Sequence, residues 1–157
     1  MKKISLIAVI AVLLYACGGA GNSTQSASPA EKKEEVSTGN PSYDPKRGEG
    51  KFTKVEVGET VDEALAGSGE KTYGVKCSSC HKLTDEKLVG PGWKGVSTRR
   101  TPEWIMNFIT NTDEMINKDP AAQAQLEICL VRMPNQNLSD EEARNLYEFM
   151  RKNDGIK

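Results

Sequence analysis

Most of the chemistry available to this 157-residue chain lies in the pentapeptide Cys77-Ser78-Ser79-Cys80-His81. Two thiols three residues apart sit one turn apart. Each can add to a vinyl group of a haem, and the next residue then places its imidazole under the iron. His81 is the only histidine, and there are four cysteines in all. A structural zinc site needs four Cys/His ligands at paired spacings, and no second pair exists. A hydrolase with a histidine base would have only His81 to use. A thioredoxin-like reading of the CxxC is disfavoured, because no alternating strand–helix pattern surrounds it. The formal net charge of −1 gives no reason to expect nucleic acid as a partner.

The segment before the motif reads as an address followed by a spacer. Lys2-Lys3 precede a 12-residue, mostly apolar run from Ile4 to Tyr15. That run is too short to span a bilayer, which takes about 20 residues. It suits a signal peptide covering residues 1–16. Its end, Leu14-Tyr15-Ala16-Cys17, resembles the bacterial lipoprotein cleavage box. The resemblance implies cleavage before Cys17 and lipidation there, and several acyl chains hold a protein stably on a membrane. Export would place the remaining cysteines in an oxidising compartment. Residues 17–60 are expected to be a flexible linker rich in Gly, Ser, Pro, Lys and Glu. Within it, residues 51–57 could form a short strand or an extended strap.

Residues 61–157 are expected to form one all-α domain. A first helix is expected from Val61 to Lys76, opened by a Thr60/Glu63 capping box. Thr101-Pro102 starts another, with Trp104, Ile105, Phe108 and Ile109 at helical spacing. Asp119-Pro120 opens a third. A second capping box, Ser139 with Glu142, opens the last, which runs to about Lys152. Hydrophobic residues make up only 37 % of the chain. A domain of this size with so little apolar material is marginal alone, so something other than side chains should fill its centre.

With the motif in that setting, the chain resembles the small single-haem cytochromes c over roughly residues 61–155. The resemblance implies the cytochrome c fold, with helices packed around one covalently attached haem c. It implies that Gly69 and Tyr73 pack against Phe149 and Leu146 of the last helix, with Gly69 allowing a close crossing. Leu88-Val89-Gly90-Pro91 looks like the family's loop after the haem site, so the Pro91 carbonyl is expected to accept a hydrogen bond from His81 Nδ1–H. Met106, Met115, Met133 and Met150 are candidates for the second axial ligand. Met106 and Met150 fall inside expected helices. Met133 precedes the turn-rich Pro134-Asn135-Gln136-Asn137, which resembles the family's ligand loop, and is preferred. Met115, also expected in a loop, is the alternative. Trp104 and Arg100, with Trp93 and Arg99 behind them, are candidates for contact with the haem propionates. Cys129 remains, expected to be a small buried hydrophobe or half of an intermolecular disulfide.

The function implied is electron transfer by a monomer held on the bacterial cell envelope, facing the periplasm, and not catalysis. His/Met ligation raises a haem's potential and leaves no open iron site. The partner implied is a redox protein. The run from Lys76 to Asn153 resembles lipoprotein cytochromes found alongside nitrous oxide reductase, and a terminal oxidase is the other usual acceptor. A haem peroxidase or a haem-based gas or redox sensor is the alternative, and either would need an exchangeable sixth site. The charges fall unevenly. Residues 76–100 carry six basic against two acidic side chains, whereas residues 101–157 carry six against ten.

Overall fold

Asp62 begins the first helix. Its side chain accepts the backbone N–H groups of Ala64 and Leu65, both at 3.0 Å, and α1 (Glu63–Lys76) follows. Such a cap satisfies donors that the first turn leaves without partners. The cap is thus Asp62 rather than Thr60, because the Asp62 carboxylate reaches two donors from a position two residues later. The computed structural model describes residues 43–157, and among them it holds six helices and no strand. The short α2 (Val96–Arg99) precedes α3 (Pro102–Thr110), which Thr101 caps through Trp104 N–H. Then come α4 (Thr112–Lys118), α5 (Pro120–Cys129) and α6 (Asp140–Asn153). The expected capping box of α6 is present, with Ser139 and Glu142 bonding each other's backbone.

α1 and α6 cross at Gly69. A Cβ there would collide with the backbone of Asn145 and Leu146, so only glycine lets the two helices approach this closely. Beside the crossing, Tyr73 and Phe149 pack with ring centroids 5.4 Å apart. Leu146, Ala143 and Phe149 from α6 join Trp104, Ile105, Met106 and Ile109 from α3 in one buried cluster.

Met115 belongs to this core and not to a loop. It lies in α4, is fully buried, and its sulfur accepts the Glu49 N–H at 3.0 Å. The helix was hidden by its length of seven residues, although Asp113 and Glu114 in its first turn and Lys118 in its last complement the helix dipole.

Residues 43–60, expected as the end of a linker, lie along the domain as a strap. Phe52, Val55 and Val57 pack on the core. The fully buried Asn107 side chain bonds both Phe52 N–H and Phe52 C=O, each at 2.9 Å, in place of a sheet partner. Glu103 accepts Val55 N–H at 2.7 Å. The Arg151 guanidinium donates to the carbonyls of Gly58, Glu59 and Thr60. No strand forms over residues 51–57; the extended alternative is the one realised. The expected signal peptide, Cys17 and the linker up to residue 42 lie outside the described residues.

Candidate functional site

The pentapeptide sits where α1 ends. Cys77 caps the helix, and Tyr73 C=O accepts the N–H groups of both Cys77 and Ser78 at 2.9 Å. The chain then turns back on itself, with Cys77 C=O accepting from Cys80 N–H at 3.0 Å and His81 N–H at 2.9 Å. This turn fixes the two thiols and the imidazole relative to one another. Tyr73 hydroxyl donates to His81 C=O at 2.7 Å, and Trp93 packs against both the Tyr73 and His81 rings.

His81 Nδ1 lies 2.9 Å from the Pro91 carbonyl. A carbonyl only accepts, so Nδ1 carries the proton and Nε2 keeps its lone pair for a metal. Gly90 lies on the imidazole, where a Cβ would overlap three ring atoms. Pro91 is held there because the loop folds back: Val89 and Gly90 N–H bond Cys80 C=O, and Trp93 N–H bonds Lys82 C=O. Burial lowers the pKa of His81 against an opposing contribution from the Pro91 bond, which favours the neutral, ligating imidazole. Burial also pushes the Cys77 thiol up to about 11, with neighbouring Lys76 acting in the other direction.

A cavity of about 220 Å³ opens beside His81. Cys80, His81, Pro91, Arg100, Trp104 and Met133 all line it. Residues spread over more than fifty positions of sequence are thus brought to one place, while Cys77 sits buried beside them at the helix end. Of the four candidate methionines, Met133 and Met150 reach the cavity and Met106 and Met115 do not. Met133 stands on the irregular segment between α5 and α6, whereas Met150 is fixed within α6. Arg100 stacks its guanidinium on the Trp104 ring at 4.4 Å. Trp104 departs from expectation in one respect. Its indole N–H donates to Asp119 Oδ2 at 2.9 Å inside the protein, so that N–H is already taken and Trp104 lines the cavity through other atoms of its ring. Cys129 is buried and lines the cavity as well. Sequence reasoning missed Asp119, and it named Met150 only to pass it over. Met150 was set aside as a helical residue, and Asp119 showed only its role as the cap of α5.

Around the cavity, several large apolar side chains face solvent: Leu88, Val89, Ile128, Leu130 and Val131, with Leu130 84 % exposed. Lys87 Nζ bonds Ile128 C=O at 3.0 Å, joining the loop after the pentapeptide to the end of α5. Leu130 caps α5 at φ 60°, a left-handed conformation more often held by glycine.

The donor set fits a covalent haem. There are two thiols on one turn, an imidazole with a free Nε2, a thioether on a loop at the same cavity, and apolar walls of the kind a porphyrin face requires. A glycine pressed flat on the imidazole leaves that ring little freedom to turn. The profile of the Cytochrome c family matches residues 66–154. A cytochrome c from Rhodothermus marinus is 34 % identical, covering 69 % of this chain and 92 % of its own, with a TM-score of 0.65. An engineered cytochrome c from the same organism, Rma TDE, gives the same identity and TM-score over 68 % of this chain and 91 % of its own. A comparison with curated proteins gave no match. With the expected helical fold found and most of the described part of the chain covered, the chain belongs to the cytochrome c family, as a small c-type cytochrome that transfers electrons through a covalently bound haem c.

Proposed function

We propose that this cytochrome is an electron carrier, not an enzyme, held on the cell envelope by lipid at Cys17 and facing the periplasm, with His81 and Met133 as its axial ligands. The observation that carries the ligand pair is that Met133 lines the same cavity as His81, whose Nδ1 is tied to Pro91 at 2.9 Å. A bound haem supplies one-electron exchange between Fe(III) and Fe(II). The chain's part is to hold the two ligands, keep His81 in one tautomer and exclude water with apolar walls. A loop position suits Met133, since its backbone can adjust the sulfur in a way that the α6 backbone around Met150 cannot.

The exposed apolar side chains around the cavity suit brief contact with a redox partner, a reductase such as nitrous oxide reductase or a terminal oxidase. Lys82, Lys87 and Lys94 lie in the same stretch, where basic side chains outnumber acidic ones. An acidic patch on the partner would therefore be steered toward this face.

The test is an optical spectrum of the haem-loaded protein. A weak band at the red end of the visible in the oxidised form, lost in Met133→Ala and retained in Met115→Ala and Met150→Ala, is the expected result. A band that survives Met133→Ala overturns the ligand pair, and a high-spin wild-type spectrum favours a peroxidase or sensor.

A further inference from the structure

Asp119 has no exposed surface, yet it carries a carboxylate. Among the described residues, three hydrogen bonds reach its side chain, all from neutral donors. Ala122 N–H reaches Oδ1 at 2.8 Å, Trp104 Nε1–H reaches Oδ2 at 2.9 Å, and the Tyr43 hydroxyl donates to the same Oδ2. The three donors come from different parts of the fold. Ala122 lies in the first turn of α5, Trp104 lies in α3 and lines the cavity, and Tyr43 is the first described residue of the strap. Capping α5 would need only the Ala122 bond, and an asparagine or serine would supply it as well. A full carboxylate, buried with no cation in contact among the described residues, costs more than that role requires.

We propose that Asp119 is a positioning residue of the haem cavity, fixing the Trp104 ring against it and placing a buried negative charge beside it that holds the reduction potential down. The inference rests on the electron-transfer reading above. The bond through Nε1 sets the rotation of the indole, and the Arg100 guanidinium lies on the ring so fixed. Ile116 and Ala122, close to Asp119 in sequence, also line the cavity, so the carboxylate stands one layer of side chain behind the wall. A negative charge in that place favours the more positive of two charge states held in the cavity, which for a haem is the oxidised one. Tyr43 tempers the charge by donating to it, and in this way the strap reaches the site. Burial, then the hydrogen bond and charge of Asp119, raise the Tyr43 pKa well above its ordinary value, so the hydroxyl stays a donor.

The experiment is a spectroelectrochemical titration of haem-loaded protein for wild type, Asp119→Asn, Tyr43→Phe and Val55→Ala. Asp119→Asn keeps the size and one of the two acceptor oxygens and removes the charge, and its midpoint potential should rise. Tyr43→Phe removes the donor and leaves the charge more bare, and its potential should fall. Val55→Ala loosens the strap away from Asp119 and should leave the potential where it is. Opposite shifts in the first two variants are the signature, because general loosening and water entry would move both the same way. Equal potentials in wild type and Asp119→Asn, or shifts of one sign in both variants, overturn the proposal. Should Asp119→Asn fail to fold, Tyr43→Phe and Val55→Ala decide it alone, and a Tyr43→Phe potential equal to wild type overturns it. The red band read in the same samples keeps the two readings apart. Its absence from wild type counts against Met133 as ligand and leaves the signs of the shifts to judge Asp119.

Discussion

Replacing Glu148 by glutamine should weaken the fold more than any other single exchange of similar shape in α6. Glu148 is 1 % exposed and Arg151 5 %. The Arg151 Nη1 donates to both Glu148 oxygens, at 2.8 and 3.1 Å, and Arg144 Nη1 stands 2.7 Å from the same carboxylate. Glutamine keeps the volume and removes the charge, leaving the Arg151 guanidinium buried without a counter-ion. Breaking one partner out of such a pair costs about 3–5 kcal/mol. The carbonyls of Gly58, Glu59 and Thr60 still accept from Arg151, and the partly exposed Arg144 can turn to water, so the low end, about 3 kcal/mol, is expected. Total stabilities lie at about 5–15 kcal/mol, so this loss is a large fraction. At roughly 4 °C per kcal/mol for a body of this size, Tm should fall by about 12 °C. Urea titration of the haem-loaded protein followed by far-UV circular dichroism measures the loss. A cycle with Arg151→Met then measures the coupling, and the double variant should be less destabilised than the two single losses added together. A loss under about 1 kcal/mol, or strictly additive variants, would refute the reasoning.

Gly69→Ala should destabilise by about 2 kcal/mol or more in the same titration, because overpacking against the Asn145 backbone exceeds the roughly 1 kcal/mol gained in helix propensity. Gly67→Ala and Gly74→Ala, in the same helix with nothing within 4 Å, should instead stabilise by up to about 1 kcal/mol. Cys17→Ser should release soluble protein or leave unprocessed precursor with the haem domain intact; fractionation and intact mass report it, and wild-type protein that is already soluble and unmodified rules the anchor out. Electron-transfer rates to an acidic partner should fall as ionic strength rises from about 10 to 500 mM. They should also fall when Lys82, Lys87 and Lys94 become Gln, and a flat profile removes the case for electrostatic steering.

What was legible in the sequence was local. Thr101-Pro102, Asp119-Pro120 and Ser139 with Glu142 each carry their capping chemistry within a few residues, and each starts a helix where expected. The pentapeptide and the Pro91 acceptor are similarly close, ten residues from His81 to Pro91. The rest depended on partners far away in the chain. Thr60 and Asp62 are both fit to cap, and Asp62 N–H bonding Glu148 Oε2, 86 residues on, belongs to a contact that no spacing reveals. The Trp104 N–H was free to choose a propionate or a carboxylate until α5 brought Asp119 to it. Residues 43–60 looked like linker because they hold few apolar side chains, and their docking joins the packing of Phe52, Val55 and Val57 to hydrogen bonds from Asn107, Glu103 and Arg151.

Those three side chains grip the strap by its peptide groups. Asn107 takes the N–H and C=O of Phe52, Glu103 takes the N–H of Val55, and Arg151 takes three successive carbonyls. Every amino acid except proline presents the same groups, so the clasp is nearly blind to what the strap spells. Its demands are steric: Gly48, at φ 65°, lies against Met115, and Gly50 lies against Asn107 where neither has room for a Cβ. Selection can therefore rewrite the strap side chains that face away from the body without unseating it, while Tyr43, Phe52, Val55 and Val57, which touch the body, and the residues that do the gripping are bound by their fit. Kinship of such a segment among relatives would be carried by the grippers, the two glycines and the few strap side chains that touch the body.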